Sequence, residues 1–502
     1  MSVRPSSLLG LLPLLLTVAC SGGGDPVHAP DGPRDLSGTN RTLAWHTDGT
    51  SDATPVDLSN HRLQAIFKTE AGWDVYGGTG DQDGSFTIKG VPATQASYWL
   101  KDGSWGQNQV NDYFWTNATQ VDLGRDTSYF RPDTAPLGTR VAFSGSGLDP
   151  LQAQDVFGAM VPSAGLTYGD AGYDPEVQDL FSPLWTTNRP ALGATTFTGT
   201  SVDWAYVTPI DAGKGDHLTL TQYRRVQLGE VAYDAIVKAA TLAPFSTPPG
   251  IETLANAVSF TTPPSIPFAL NWPRSAWEAL KQDVGGAQAA MVGVDGWVSV
   301  HNGGLDHGLI ALDLPIMNMR GIPDGFNDFQ TGDLGLRNPY PPAWMFEHYE
   351  ASYVSPSPDG MNSMVAIVTV NRPLGPGDAI LPALSPVRDI LINAAPLTGT
   401  VRGVGTSPTL SWTPPRLGTA TGYSVAILSQ NGFTTTFIAT LWVPGTVTQI
   451  TLPPELLKPT GVHYQVLITA ETTDKQDLQK APRRFGLSRA SAEGWSQGVF
   501  WP

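Results

Sequence analysis

The residues best suited to chemistry lie in one glycine-rich segment, residues 300–308, which reads VHNGGLDHG. It places two imidazoles and a carboxylate, His301, Asp306 and His307, in a single short loop, and His348 follows further along the chain. Imidazole and carboxylate groups are the ligands that zinc and related transition metals prefer. The segment therefore predicts a candidate metal site, although its spacing matches no metal motif. A turn carrying exposed histidines explains the same residues without a metal.

Motifs of other enzyme classes do not occur in the sequence. There is no Gly-x-Ser-x-Gly elbow in a strand-to-helix setting, no HExxH, no phosphate loop and no GxGxxG fingerprint. Paired carboxylates for glycoside hydrolysis remain open, because any two of the 45 Asp and Glu residues could meet in space. We expect no cofactor, and the question of catalysis stays open, with binding favoured.

The elements that must position these residues are predicted to be short strands. The chain is too long for one hydrophobic core, and its 54 Gly and 43 Pro residues interrupt it with frequent turns. We expect an all-β, multi-domain array of β-sandwiches with one short helix in the middle domain. The net charge of −16 and the absence of a Lys/Arg cluster argue against nucleic acid as a partner.

The amino terminus predicts export. An apolar run at residues 8–19 is too short for a permanent membrane helix and ends at Cys20, the single cysteine of the chain. The sequence TVAC resembles the lipobox of bacterial lipoproteins. That resemblance implies removal of residues 1–19, a palmitate-type acyl modification on Cys20, and a flexible tether over 20–36 that holds the protein on a lipid bilayer. A free thiol is the alternative.

The same resemblance implies a location in the cell envelope. The absence of Asp directly after Cys20 favours the outer membrane over the inner one. Whether the protein faces the periplasm or the cell surface stays open.

Residues 37–136 predict the first sandwich. The stretch GDQDGSFTIKGVP, residues 80–92, reads as a hairpin in which Gly84 supplies a positive φ and Phe86 and Ile88 face the core. It resembles the carboxypeptidase-regulatory or transthyretin-like β-sandwich modules. Asp81 and Asp83 fit the turn; a calcium loop is the alternative.

An aromatic-rich segment follows the hairpin. Trp99, Trp105 and Trp115 lie among Asn, Gln and Asp side chains, a composition that sugar-binding surfaces use. The same aromatics also fit the core and rim of a sandwich, which is the more common role.

The middle region, residues 137–394, predicts a β-rich domain with a helix that starts at SAWEAL. Ser275 and Glu278 fit a capping box, and Trp277 and Val284 follow at helical spacing.

Residues 395–474 resemble a fibronectin type III domain. PTLSWTPP, GYSVAIL and LLKPTGVHYQVLITA imply that Trp412 packs between two sheets and that Tyr464 makes a corner hydrogen bond. Residues 475–502 form a carboxyl-terminal tail whose aromatics, among them Trp495 and Phe500, are expected to dock on a neighbouring domain.

Together these features predict a membrane-anchored envelope lipoprotein that acts as a binding or scaffolding module for a polysaccharide or an envelope protein. Two alternatives remain. One is an envelope hydrolase with its site around His301, Asp306 and His307, and the other is a purely structural spacer.

Overall fold

The computed structural model describes residues 33–45, 51–92, 97–103, 111–128, 139–153, 155–161, 166–172, 185–187, 191–204, 212–214, 219–228, 231–246, 252–254, 257–285, 289–300, 325–332, 345–356, 363–372, 379–431, 434–458, 461–472, 477–484 and 490–502. Strands dominate these residues, which confirms the all-β prediction. No helix in these ranges has the length and apolar character needed to cross a membrane.

The amino-terminal segment is a set of short, mostly antiparallel strands around its own core. Its strands are β1 (Arg34–Thr39), β2 (Arg41–Trp45), β3 (Ser51–Pro55), β4 (Arg62–Thr69), β5 (Gly72–Gly80), β6 (Ser85–Val91), β7 (Tyr98–Gly103), β8 (Asn111–Thr116), β9 (Gln120–Asp122) and β10 (Asp126–Ser128). The main sheet runs β8-β7-β4-β5-β6-β1-β9, and a small sheet runs β10-β2-β3.

The hairpin predicted over residues 80–92 is present. β5 pairs with β6, and Gly80 lies opposite Phe86. Gly84 has a φ of 78° and lies so close to the Asn40 carbonyl that a Cβ would clash, so only glycine fits there. Phe86 and Ile88 are buried, which confirms the predicted inward face.

The middle segment contributes several small sheets. Its elements are β11 (Thr139–Ser146), β12 (Val156–Val161), β13 (Leu166–Gly172), β14 (Trp185–Thr187), β15 (Thr196–Trp204), a 3-10 turn (Ala212–Lys214), β16 (Thr219–Leu228), β17 (Val231–Thr241), β18 (Glu252–Leu254), β19 (Val258–Ser259), β20 (Ser265–Trp272), α1 (Arg274–Glu278), α2 (Lys281–Gly285), β21 (Ala290–Val300), β22 (Gly325–Gly332), β23 (Met345–Pro356) and β24 (Ser363–Arg372). The sheet orders are β14-β15-β11-β18, β13-β12-β16-β17, β20-β22 and β21-β23-β24, the last being part of a larger sheet.

The predicted helical stretch is present as α1 and α2, with Trp277 and Val284 buried as the spacing indicated. The predicted capping box was wrong. α1 begins at Arg274 with Pro273 as its N-cap and no side-chain cap, so Ser275 lies inside the first turn. Glu278 instead accepts a hydrogen bond from Arg274 Nε at 2.9 Å, the i,i+4 pair that this start position allows.

The carboxyl-terminal segment is a two-sheet sandwich. Its strands are β25 (Arg388–Ile392), β26 (Ala395–Pro396), β27 (Thr400–Val401), β28 (Thr409–Thr413), β29 (Gly422–Asn431), β30 (Thr434–Pro444), β31 (Gln449–Thr451), β32 (His463–Thr472), β33 (Ala490–Trp495) and β34 (Val499–Phe500). One sheet runs β26-β25-β28-β31 and the facing strands run β33-β32-β29-β30.

Two residues predicted from the sequence hold this sandwich together. Trp412 and Tyr423 pack edge to face between the sheets, with ring centroids 5.2 Å apart. The hydroxyl of Tyr464 accepts a hydrogen bond from the Lys458 backbone N–H at 2.9 Å, as a tyrosine corner does. Phe500 is fully buried and stacks on Tyr464, which confirms that the tail docks.

The three segments share one sheet. β8 of the amino-terminal segment pairs in parallel with β30, and β24 of the middle segment pairs in antiparallel with β33. The resulting strand path runs β21-β23-β24-β33-β32-β29-β30-β8-β7-β4-β5-β6-β1-β9. Any site between segments is therefore positioned by continuous backbone hydrogen bonding.

Candidate functional site

Most of the residues predicted to do chemistry lie outside the described ranges. These are Cys20, Trp105, His301, Asp306 and His307. For His348 only the backbone is described; it lies in β23, opposite Trp297 and Asn371. Within the described part of the chain, no group of three or more His, Cys, Asp and Glu residues could hold a metal ion.

Asp81 and Asp83 serve the hairpin turn. Asp83 Oδ1 accepts a hydrogen bond from the Ser85 backbone N–H at 2.9 Å, and the Asp81 backbone N–H donates to the Ser85 carbonyl at 2.9 Å. Hydrogen bonds from Ser85 lower the pKa of Asp83. Local backbone hydrogen bonding thus accounts for both residues as parts of a turn.

The aromatic pair Trp99 and Trp115 packs at the edge of the amino-terminal segment. Trp99 is fully buried, and its indole N–H donates to the Thr451 carbonyl of the carboxyl-terminal sandwich at 3.1 Å. Trp115 is partly buried, with its ring centroid 4.8 Å from that of Trp99. Trp99 therefore presents no surface to a ligand and serves the junction between two segments.

We call this contact between the amino-terminal segment and the carboxyl-terminal sandwich the closed junction. Its backbone part is the parallel ladder from Asn111↔Ala439 to Phe114↔Trp442. Its side-chain part includes Lys101, whose ammonium lies 2.7 Å from Glu455 Oε1, a carboxylate that also accepts from the Tyr113 hydroxyl at 2.9 Å.

A second connection across the closed junction comes from residues 477–484, which we call the strap. The strap lies between β32 and β33 in sequence and reaches back to the amino-terminal segment. Arg483 Nη1 donates to Asp102 Oδ2 at 3.0 Å, and Nη2 donates to Asp112 Oδ2. The Asp122 backbone N–H donates to the Lys480 carbonyl at 2.7 Å.

The buried charges of the closed junction are mutually compensated. Burial alone would raise the pKa of Asp102, but the hydrogen bond from His61 Nδ1, at 2.7 Å, and the charge of Arg483 outweigh it and lower the pKa. A carboxylate held ionised by a buried guanidinium is a structural ion pair, and removing one partner would leave the other charge uncompensated.

The contact between the middle segment and the sandwich is different, and we call it the open junction. The β24–β33 ladder covers only Val368–Val370. Beyond these residues, side chains of β33, rather than its backbone, hydrogen-bond to the backbone of β24. Glu493 Oε2 accepts from the Ile367 N–H at 3.1 Å, and the Trp495 indole N–H donates to the Val365 carbonyl at 3.0 Å.

Glu493 has an unusual protonation equilibrium. Burial raises its pKa to about 7, the hydrogen bond from Ile367 opposes this, and the nearby carboxylate of Glu350 adds to it. The open junction therefore contains a carboxyl group that titrates near neutral pH.

A cleft of about 400 Å³ lies beside the open junction, between α2, β25 and the end of β33. Its floor is apolar, with Val284, Val387 and Leu397 buried. Its polar lining comprises Gln282, Asp283, Arg388, Asp389, Thr398 and Gln497, and Trp495 also borders it. A volume of this size lies within the range typical of small-ligand sites.

The backbone of β25 is irregular where it borders this cleft. The pairing of β25 with β28 shifts register between Arg388 and Leu391, and Asp389 has a φ of 49°. The other two non-glycine residues with positive φ in the described ranges, Asn393 and Ala394, form the tight turn between β25 and β26. Asp389 is thus held in a costly conformation outside a turn, in a bulge that reorients its side chain.

Comparisons with known proteins do not assign this architecture to a family. No family model and no curated protein matches the chain. Among solved structures, the FN1–FN3 domains of chicken CNTN1 match at 11% identity, covering 74% of this chain and 95% of that chain, with a TM-score of 0.13. A tetra-tandem repeat in the extending region of a large adhesion protein matches at 12% identity, covering 92% and 99%, with a TM-score of 0.12. At such TM-scores neither match bears on fold or function.

The sequence gives little sign of the cleft. Arg388 and Asp389 occur in SPVRDILIN, which reads as an ordinary strand. The bulge that makes them notable depends on pairing with β28, a tertiary contact. The local indication in the sequence is the pair Asn393-Ala394, which marks a turn directly after the strand but does not indicate the bulge within it.

Proposed function

We propose that this chain is a lipid-anchored scaffold of the cell envelope that holds ligand-binding surfaces at fixed relative positions. The observation that carries the proposal is the hydrogen-bonded path of strands through all three segments, secured by the strap. Modules joined only by linkers move independently, whereas strand pairing across a boundary fixes their geometry. A rigid body of this kind suits presentation of surfaces to a polysaccharide or an envelope protein.

The proposal includes a family resemblance for two of the segments. The four-stranded sheet facing four strands, together with the corner hydrogen bond of Tyr464, supports a fibronectin type III-like sandwich at residues 395–474. The hairpin around Gly84 supports a transthyretin-like module at residues 37–136.

Anchoring is proposed through acylation of Cys20 after removal of residues 1–19. An acyl chain contributes about 0.8 kcal/mol per buried CH₂, so several chains hold a protein on a bilayer durably. Because Cys20 is the single cysteine, any thioether-linked lipid can be assigned to it directly.

The anchoring test compares the native chain with Cys20→Ser and with Ser21→Ala as the matched control. We expect incorporation of an alkynyl palmitate and sedimentation with the outer membrane for the native chain and the control, and loss of both for Cys20→Ser. Mass spectrometry of an unmodified thiol, or membrane association that survives Cys20→Ser, would contradict the proposal. Protease treatment of intact cells then determines which side of the membrane the modules face.

The rigidity test uses amide hydrogen exchange on the native chain. β8 and β30 would be edge strands in separate modules, and the amides that do not face β7 or β29 would then exchange rapidly. Paired as in the closed junction, the amides of Asn111–Phe114 and Ala439–Trp442 that face the partner strand are expected to be among the slowly exchanging ones. Fast exchange in both strands would show that the segments are independent and would remove the basis of the scaffold proposal.

A further inference from the structure

We propose that the cleft between α2, β25 and β33 is a binding site for a neutral oligosaccharide. The inference rests on the proposed function and names the ligand class for one of its surfaces. Four features of the cleft carry it: its apolar floor, its mixed polar lining, its charge balance and the bulge at Asp389.

The floor and the lining together match the two kinds of surface that a sugar ring presents. Pyranose rings have C–H faces that pack on apolar side chains, here Leu391, Pro396 and Trp495, which line the cleft and are not fully buried. Their hydroxyl groups both donate and accept hydrogen bonds, so they require donors and acceptors side by side. The amide of Gln282 provides both kinds of group at the cleft, and Gln497, whose Nε2 donates to the Val284 carbonyl at 3.0 Å, offers its amide oxygen as an acceptor.

The charges favour a neutral ligand. Asp283 is already paired with Arg416 at 3.0 Å, and Arg388 and Asp389 are neighbours of opposite sign. No net charge therefore remains at the lining to attract an ion. The chain as a whole carries −16, which disfavours a polyanion.

Arg388 supplies hydrogen-bond donors at the cleft. The residue lines the cleft and is only partly buried, and its Nη2 lies 3.4 Å from the Pro414 carbonyl. Its Nε is enclosed by protein, so a ligand oxygen would meet the outer guanidinium nitrogens, which are donors suited to a hydroxyl or carbonyl oxygen.

The bulge argues for a sugar rather than a peptide. An extended peptide binds by adding a strand to a free sheet edge, which requires regular backbone geometry there. The register shift and the positive φ of Asp389 interrupt β25 at the cleft and disfavour that mode. Asp389 is exposed and lines the cleft, so its carboxylate is available as an acceptor for sugar hydroxyls.

The test is calorimetric titration of the full chain in detergent with neutral hexasaccharides of glucose, mannose, xylose and N-acetylglucosamine. We expect at least one to bind, and Arg388→Gln and Asp389→Asn each to weaken it about tenfold. Asn tolerates a positive φ, so the fold is retained, and Asp389→Gly provides a second variant that relieves the strain while removing the carboxylate. Arg402→Gln, an exposed cation outside the cleft, is the matched control and should leave binding unchanged.

Three outcomes would overturn the inference. Binding of none of the hexasaccharides would exclude the ligand class. Binding that survives both Arg388 and Asp389 variants would place the sugar elsewhere, and the scaffold proposal would stand. Binding of a decapeptide from a library, where none of the hexasaccharides binds, would show that the cleft takes a peptide instead. The scaffold proposal is tested by different measurements, lipid labelling and amide exchange, so its failure can be distinguished from failure of the sugar-binding inference.

Discussion

The closed and open junctions join the same sandwich to its two neighbours by different means. At the closed junction a parallel ladder, the buried Trp99 and the strap exclude solvent, and every ionised group named there has a partner. At the open junction the ladder stops early, side chains of Glu493 and Trp495 bridge the strands, and a cleft lies alongside. The difference indicates that the closed junction is secured by buried pairs, whereas the open junction leaves a cleft and a carboxyl with a raised pKa beside the shared sheet.

The largest expected effect tests the closed junction. Arg483→Met removes the partner of the buried Asp102 and Asp112 carboxylates and should lower the free energy of unfolding by about 3–5 kcal/mol, measured by urea denaturation. The amides of β8 should exchange faster in this variant.

Lys480→Met in the same strap is the matched control. The side chains of Lys480 and Asp477 are 71% and 53% exposed, so loss of their pair should cost less than about 1 kcal/mol. Equal effects of the two variants would mean that the strap does not secure the junction through its buried pair.

The second prediction tests the open junction through pH. The pKa of Glu493 is raised to about 7 in the folded state from the ordinary value of 4.5. Folding therefore favours the protonated form, and the stability that this contributes is full below pH 4.5 and is lost as the pH rises through 7.

Glu493→Gln should abolish this loss of stability at rising pH, because the amide does not ionise. We expect the variant to exceed the native chain in stability by about 2 kcal/mol at pH 8, a figure reduced from the full shift because the side chain is partly exposed, with the difference vanishing near pH 4. Urea denaturation across this range measures it. Parallel stability curves for the two proteins would show that the carboxyl does not titrate as described.

The smallest expected effect comes from comparing the same kind of hydrogen bond, from an indole N–H to a backbone carbonyl, in the two junctions. Trp99→Phe and Trp495→Phe each remove an indole N–H that donates to a backbone carbonyl, at 3.1 Å and 3.0 Å respectively. Trp99 is fully buried, so its loss should cost about 2 kcal/mol, against about 1 kcal/mol for the more exposed Trp495 bond. Thermal or urea unfolding of the two variants gives the difference, and a reversed order would contradict the contrast between the junctions.

Local patterns were sufficient to predict several elements. Gly84 marks a turn whose φ no other residue adopts readily, and the spacing of Phe86 and Ile88 shows which face is buried. Tyr464 follows its corner at a fixed distance in sequence, so the motif is readable without tertiary information.

Long-range contacts were not predictable in this way. Arg483 and Asp102 are 381 positions apart, and nothing near either residue indicates its partner. For the same reason the sequence around Trp99 favours a core role over a sugar-binding surface only on general grounds, since its burial depends on contacts with another segment, among them the Thr451 carbonyl. The capping box failed because the N-cap is Pro273, two residues before the predicted Ser275, which places Ser275 in the first turn.

The strap and β33 have a consequence for the order of assembly. Both come near the end of the chain, yet they complete contacts with strands made several hundred positions earlier. A chain that emerges on the far side of a membrane from its amino terminus would hold unpaired strand edges until these residues arrive. Such edges promote aggregation, so if the chain is exported as proposed, we expect it to need chaperones that shield these edges until the strap and β33 have emerged.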